Sequence, residues 1–288
     1  MLIIAGIVPV AEIPLITGSV QMKDDSIVVD GHRIPWSQGT AAMIAAALAT
    51  TDYLGLEAPR AILAGDTGAG RGSRTLYKYL IDNVAAIHPK VLALHYWMPD
   101  LELMHQLYEK VDRLQPRPIL IADAASMYAA KAAGLASGFD VFTPDCSELA
   151  FLADADAFHP AYIAKHLFEM DSDRNPELIE TAFKLKGAAR ILLVKGPRDL
   201  IADETGILEV IDGPDIPAME CIGGTGDSIT GMCSALLFGG MNAVQAAAIS
   251  AGANRIAGQL AAVTPASSIS SVVKQIPKAL AQVLGEQP

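Results

Sequence analysis

Short runs that are apolar at nearly every position alternate, through most of this chain, with longer stretches of helical spacing. Residues 1–10, 60–65, 90–95, 118–122, 139–142 and 190–194 are strand-length runs rich in Ile, Val, Leu and Ala. Between them the apolar residues fall three and four apart, as Leu76, Leu80, Val84 and Ile87 do within 73–87, which is the spacing of one helix face. Residues 100–114, 126–133 and 147–152 read as helices too, as do 39–49, 227–238, 242–260 and 270–284. Strands with no polar face, separated by helices, predict a parallel sheet covered on both sides. Two segments break the alternation. Residues 26–29 and 33–36 flank Asp30-Gly31, a hairpin signal, and 200–202 with 207–211 predict a second antiparallel pair around 203–206. There is no repeat and no low-complexity linker, so a single domain over 1–288 is expected.

Composition narrows the class. Of 288 residues, 51% are hydrophobic and 18% charged, with a formal net charge of −11. That balance suits a well-packed globular chain and argues against a nucleic-acid surface or an anionic membrane as partner. Cys146, Cys221 and Cys233 form no Cys-x-x-Cys pair, so a reducing cytoplasm is expected. The apolar start lacks a basic flank and reads as a first strand, not as a signal peptide.

Candidate chemistry collects where strands end. In open α/β sheets ligands bind beyond the carboxyl ends of the strands, and the loops there are 65–72, Asp123, 143–148, Lys195-Gly196 and 223–227. The last reads Gly223-Gly224-Thr225-Gly226-Asp227, followed directly by an apolar segment. A glycine turn feeding a helix leaves main-chain N–H groups free and the positive dipole end exposed, which together hold an anion. Asp227 in the first turn would then accept or steer a proton. The alternative is a plain glycine turn whose Asp suits the helix dipole.

These residues resemble the ribokinase-like superfamily, and within it the ADP/ATP-dependent NAD(P)H-hydrate dehydratases, also described as carbohydrate kinase-related. Residues 62–70 are similar to that family's glycine loop, with Asp66 and Thr67 in place of the usual Pro-Gly. Asp123-Ala124 is similar to its Asp-Ala strand end. Thr143-Pro144-Asp145-Cys146-Ser147-Glu148 matches its Thr-Pro-x-x-x-Glu stretch. Lys195-Gly196 and 223–231 match its Lys-Gly strand end and Gly-(Thr/Ser)-Gly-Asp signature. The resemblance covers about 39–262. It implies a three-layer αβα sandwich with a mostly parallel central sheet, no large lid domain, and use of ATP or ADP with Mg²⁺. The partner would be a small molecule, either hydrated NAD(P)H or a small alcohol, and the chain a homo-oligomer. The family's Asn-containing loop is absent at 218–222. A kinase for a small hydroxylated metabolite is therefore kept as the alternative reaction, with nucleotide binding without turnover as a third reading.

Asp227 is the expected catalytic group. Lys195, Gly196, Gly223, Gly224, Thr225, Gly226, Thr143 and Asn254 are expected around the nucleotide and its phosphates. Gly68, Gly70 and Asp123 are expected on the substrate side, and Asp145 and Glu148 at a metal. Each has a plainer reading. Asp145 and Glu148 would simply open a solvated helix, Lys195 would end a strand at the surface, and Asp123 would cap the next helix. The glycines would serve turn geometry, and Asn254 and Arg255 a polar helix face. His88, His95, His105, His159 and His166 show no zinc spacing and read as surface or half-buried residues. Cys146 has no histidine partner at a useful spacing and is not read as a nucleophile. Residues 65–73 match neither a Walker A loop nor Gly-x-Gly-x-x-Gly.

Overall fold

The computed structural model describes residues 1–157 and 172–285; His159 and His166 lie outside them. In a nine-stranded sheet β1 (Leu2–Val8) is flanked by β6 (Arg60–Gly65) and β7 (Val91–His95). Beyond β7 follow β8 (Ile119–Asp123), β9 (Val141–Phe142) and β10 (Ile191–Val194), all parallel. Antiparallel strands close both edges. They are β2 (Ile16–Ser19) beside β6, and β11 (Asp199–Asp203) with β12 (Gly206–Ile211) beside β10. A separate meander of β3 (Gln21–Lys23), β4 (Ser26–Val29) and β5 (His32–Pro35) turns at Asp30-Gly31, both with positive φ as a two-residue hairpin requires.

The strands are apolar throughout because each face meets a helical layer. Along β1, Leu2, Ile4 and Val8 enter one core and Ile3, Ala5 and Ile7 the other. The first core holds α1 (Gly39–Tyr53), α7 (Thr225–Phe238), α8 (Ala243–Leu260), α9 (Ile269–Val273) and α10 (Ile276–Val283). The second holds α2 (Arg71–Ile87), α3 (Leu101–Asp112), α4 (Ala125–Ala132), α5 (Cys146–Leu152) and α6 (Asn175–Lys184). This is a three-layer αβα sandwich of the ribokinase-like kind. The meander packs on the first core through Ile27, Val29 and Ile34. Among the described residues, no helix is long and apolar enough to cross a membrane.

Helix α1 is buried at every position from Thr40 to Thr51, which is why its composition is alanine-rich and its pattern shows no polar face. Small residues let α1 and α7 approach backbone to backbone. A Cβ on Gly231 would stand 2.1 Å from the Met43 carbonyl oxygen. Residues 270–284, expected as one helix, divide into α9 and α10. Pro277 sits in the first turn of α10, a place its missing N–H tolerates; further inside a helix it would remove a bond and clash.

Candidate active site

The carboxyl ends of β7, β8 and β10 and the amino end of α7 meet at a cleft of about 600 Å³. In the β7–β8 register His95 pairs with Asp123, so the two side chains leave the sheet on the same face. Asp123, 2% exposed, receives Lys195 Nζ at 2.9 Å and the Ala124 N–H at 2.8 Å on Oδ1, and the Thr230 hydroxyl at 2.6 Å on Oδ2. It does not cap α4, where Ala124 holds the N-cap position. Burial would raise the Asp123 pKa, yet Lys195 and His95 hold it far below the carboxylate range. Lys195 moves in the opposite sense: burial works against its charge, and Asp123 and Glu148 keep it protonated. It is a strand-end lysine clamped in an ion pair, with its side chain 12% exposed.

Asp227 lies in the first turn of α7, beside Gly224 at the N-cap with φ 95°. No side chain caps this end, so the N–H groups of 224–227 lack helical partners. Asp227 Oδ2 accepts the Gly39 N–H at 2.7 Å, and Oδ1 stands 3.0 Å from His95 Nε2. Gly224 is hemmed by Ile269, Ala42 and Gln38, and Gly226 rests on Lys195. Asn254 is buried and braces the same turn, donating to Thr225 O at 3.2 Å and accepting from Ser228 Oγ at 2.7 Å. Arg255 is also buried. It pairs with Asp199 at 2.8 Å and donates to the carbonyls of Gly196 and Pro197.

His95 is the residue that sequence reasoning missed. It was expected at the surface or half-buried and is 0% exposed beside Asp123 and Asp227. A lone histidine without metal spacing gave no signal. The usable one was its place at the carboxyl end of a central strand, beside the Asp123 strand end. Thr40 Oγ1 donates to Ile7 O at 2.6 Å, so it must accept from His95 Nδ1 at 2.9 Å. His95, Asp123 and Asp227 could converge on a cation. The neighbouring Lys195 and the His95 proton already balance the two carboxylates, making this an ion-pair network.

Asp145 and Glu148 form a capping box at the start of α5. Asp145 Oδ1 accepts the Glu148 N–H, and Glu148 Oε2 accepts the Asp145 N–H, both at 2.8 Å. Burial, reinforced by the Asp145 charge, raises the Glu148 pKa well above the carboxylate range. Both residues line the cleft, and among the described residues no hydrogen bond falls on Asp145 Oδ2 or Glu148 Oε1. That donor set fits a hard cation kept with part of its water shell.

Other expected residues stand further back. The Thr143 hydroxyl is buried against Thr230 at 2.8 Å. The Gly196 N–H is held by Asp199 at 3.1 Å. The 65–72 loop binds its own anion: Asp66 accepts the N–H groups of Gly68, Ala69, Gly70 and Gly72 at 2.7–3.1 Å. Gly68, Gly70, Gly223, Gly224 and Thr143 are outside the cleft lining, whereas Tyr96 and Met219 belong to it.

Comparison with known proteins places this geometry. A family model described as NAD(P)H-hydrate dehydratase matches residues 98–278. The motifs at 143–148, 195–196 and 223–231 fall inside that match; the 62–70 loop and His95 fall outside it. An uncharacterized protein of Methanocaldococcus jannaschii is 38% identical over 242 residues, covering 84% of this chain and 100% of that protein. The bifunctional NAD(P)H-hydrate repair enzyme Nnr of Pyrobaculum aerophilum is 30% identical over 181 residues, 62% of this chain. Its Hyperthermus butylicus counterpart is 33% identical over 113 residues, 38% of this chain. The matches span only 33% and 20% of those two enzymes. Among solved structures, Escherichia coli phosphofructokinase-2 in complex with fructose-6-phosphate has a TM-score of 0.51 at 14% identity, covering 98% of this chain and 100% of its own. Staphylococcus aureus pyridoxal kinase in complex with AMP-PCP and pyridoxal gives 0.50 at 13% identity, covering 88% and 86%. These two are likenesses of fold alone.

Proposed function

The chain belongs to the NAD(P)H-hydrate dehydratase family, and from that premise we propose that it uses ATP or ADP to dehydrate hydrated NAD(P)H and restore the reduced cofactor. The observation that carries the proposal is Asp227, aimed from two sides, next to uncapped helix N–H groups in a cleft of about 600 Å³. The nucleotide supplies the phosphoryl group; Asp145 and Glu148 would hold Mg²⁺, which would supply positive charge to offset the phosphates.

The chain's own groups then act in order. The amides of 224–227 hold the phosphate to be transferred and the charge that develops on it, each such donor contributing about 2.7–4 kcal/mol to a transition state. Asp227 orients the ring hydroxyl and takes its proton as the oxygen–phosphorus bond forms and the nucleotide's phosphoanhydride bond breaks. Elimination follows: the carbon–oxygen bond breaks and phosphate leaves with its electron pair, the neighbouring carbon gives its proton to solvent water, and the double bond returns. Lys195 and Asp123 keep the strand ends beneath this turn charge-balanced.

The test is to incubate the chain with hydrated NADH and ATP or ADP while following reduced-nicotinamide absorbance. Recovery is expected, and bound nucleotide without recovery would refute the proposal. The absent Asn-containing loop supports a second reading, a kinase for a small alcohol. A stable phosphate ester in place of restored cofactor would favour it.

A further inference from the structure

Of the two carboxylates at the site, Asp123 is buried and Asp227 half-buried; they face one lysine, and among the described residues Lys195 Nζ bonds Asp123 and not Asp227. A second positive charge is needed, and the groups packed around His95 identify it. They are Thr40 from α1, Asp123 from β8 with Lys195 behind it, Asp227 from α7, and the ring of Tyr96 set edge-on at 4.4 Å. His95 Nε2 is fully buried, 3.0 Å from Asp227 Oδ1 and 3.7 Å from Asp123 Oδ2, aligned well on neither. A bare lone pair between two carboxylates would be repelled by both, so Nε2 carries a proton. Nδ1 carries one as well, because the Thr40 hydroxyl hydrogen is already donated to Ile7 O.

We propose that His95 is a positioning residue, a buried imidazolium that fixes Asp227 from behind. This rests on the dehydratase reading for its kinetic consequence but not for its electrostatic one. With the Gly39 N–H on Oδ2 and His95 on Oδ1, each Asp227 oxygen keeps a second lone pair for the cleft. Burial alone would favour neutral imidazole, and the two carboxylates overcome it, raising the His95 pKa to about 9. His95 meets the 224–227 turn at the Asp227 side chain, and among the described residues no hydrogen bond joins it to the main-chain N–H groups there, so nucleotide binding does not need it.

Two measurements test this separately. Nitrogen NMR of the wild-type imidazole, with His95→Gln for assignment, should find both ring nitrogens protonated at neutral pH and a titration midpoint near 9. A midpoint at or below about 6.5, the unperturbed value, overturns the proposal. In the turnover assay, His95→Gln should lower kcat and leave nucleotide Kd unchanged. Thr40→Val, which removes the Nδ1 acceptor together with the bond to Ile7 O, should lower the His95 midpoint in a folded protein. An unmoved His95 midpoint in Thr40→Val together with unchanged kcat in His95→Gln refutes the proposal. If the NMR result holds and wild type does not turn over hydrated NADH, the reaction assignment fails while the electrostatic inference stands.

Discussion

Replacing Gly231 by alanine adds one carbon at the tightest contact between the helices that build the site. That Cβ would lie 2.1 Å from Met43 O, 3.0 Å from Met43 C and 3.1 Å from Ala47 N. All three are main-chain atoms, so no side chain can rotate away. Carbon–oxygen contacts settle near about 3.3–3.6 Å, so α1 and α7 must part by roughly 1 Å. Overpacking of this kind costs about 1–3 kcal/mol, and alanine recovers about 1 kcal/mol of helix propensity over glycine. With the clash backbone on backbone, the upper end applies and the net loss is about 2 kcal/mol. Gly252 in α8 is the control, because its Cβ would meet nothing closer than Val283 Cγ2 at 3.8 Å. Gly252→Ala should stabilise by up to about 1 kcal/mol. Urea unfolding followed by fluorescence of the buried Trp36 and Trp97 measures both. The separation should also lengthen the 2.7 Å bond from Gly39 to Asp227, so Gly231→Ala should lose turnover as well as stability. If Gly231→Ala is as stable as Gly252→Ala, the close approach of α1 to α7 is wrong.

Three further outcomes follow from the same geometry. Asp227→Asn should reduce turnover by about 10²–10⁴-fold, the range for a lost acid–base group, with nucleotide affinity retained by calorimetry. Arg255→Met leaves Asp199 buried without its partner and should cost about 3–5 kcal/mol in chemical denaturation; adding Asp199→Asn should recover part of that, because burial already raises the Asp199 pKa against the pull of Arg255. Burial raises the Asp66 pKa, but four main-chain N–H groups lower it, to a net value below the ordinary 3.8. Its stabilising contribution is thus complete above 3.8 and is lost as pH falls through the folded value. Acid unfolding of wild type should carry that loss below about pH 4, and Asp66→Asn should lack it.

Much of the fold was legible because a parallel sheet buried on both faces needs apolar runs, and β1, β6, β7, β8 and β10 all have them. Legibility ended where identity depends on contacts distant in sequence. Helix α1 gave no periodicity because it has no solvent face. β3 was missed because Gln21–Lys23 is exposed and polar-flanked, held only by its pairing with β4. At the site, Asp123, Lys195 and Asp227 were readable from their places at strand and helix ends. Their mutual pairing, and the Gly39 N–H that aims Asp227 from 188 residues away in sequence, were not. The Asp145-x-x-Glu148 spacing did carry its own clue, since it is the capping-box signature as well as a metal motif. The 65–72 glycines resembled a ligand cradle because they are one, occupied by Asp66 from the same loop.

The central claim is that this site couples nucleotide cleavage to loss of water from a hydrated nicotinamide. Stoichiometry tests it most directly, by counting phosphate released and nicotinamide restored in one reaction with wild type and with Asp227→Asn. The account predicts one phosphate per restored cofactor with wild type and neither product with the variant. Nucleotide cleavage that leaves the hydrate untouched, or restoration that proceeds without nucleotide, would contradict it.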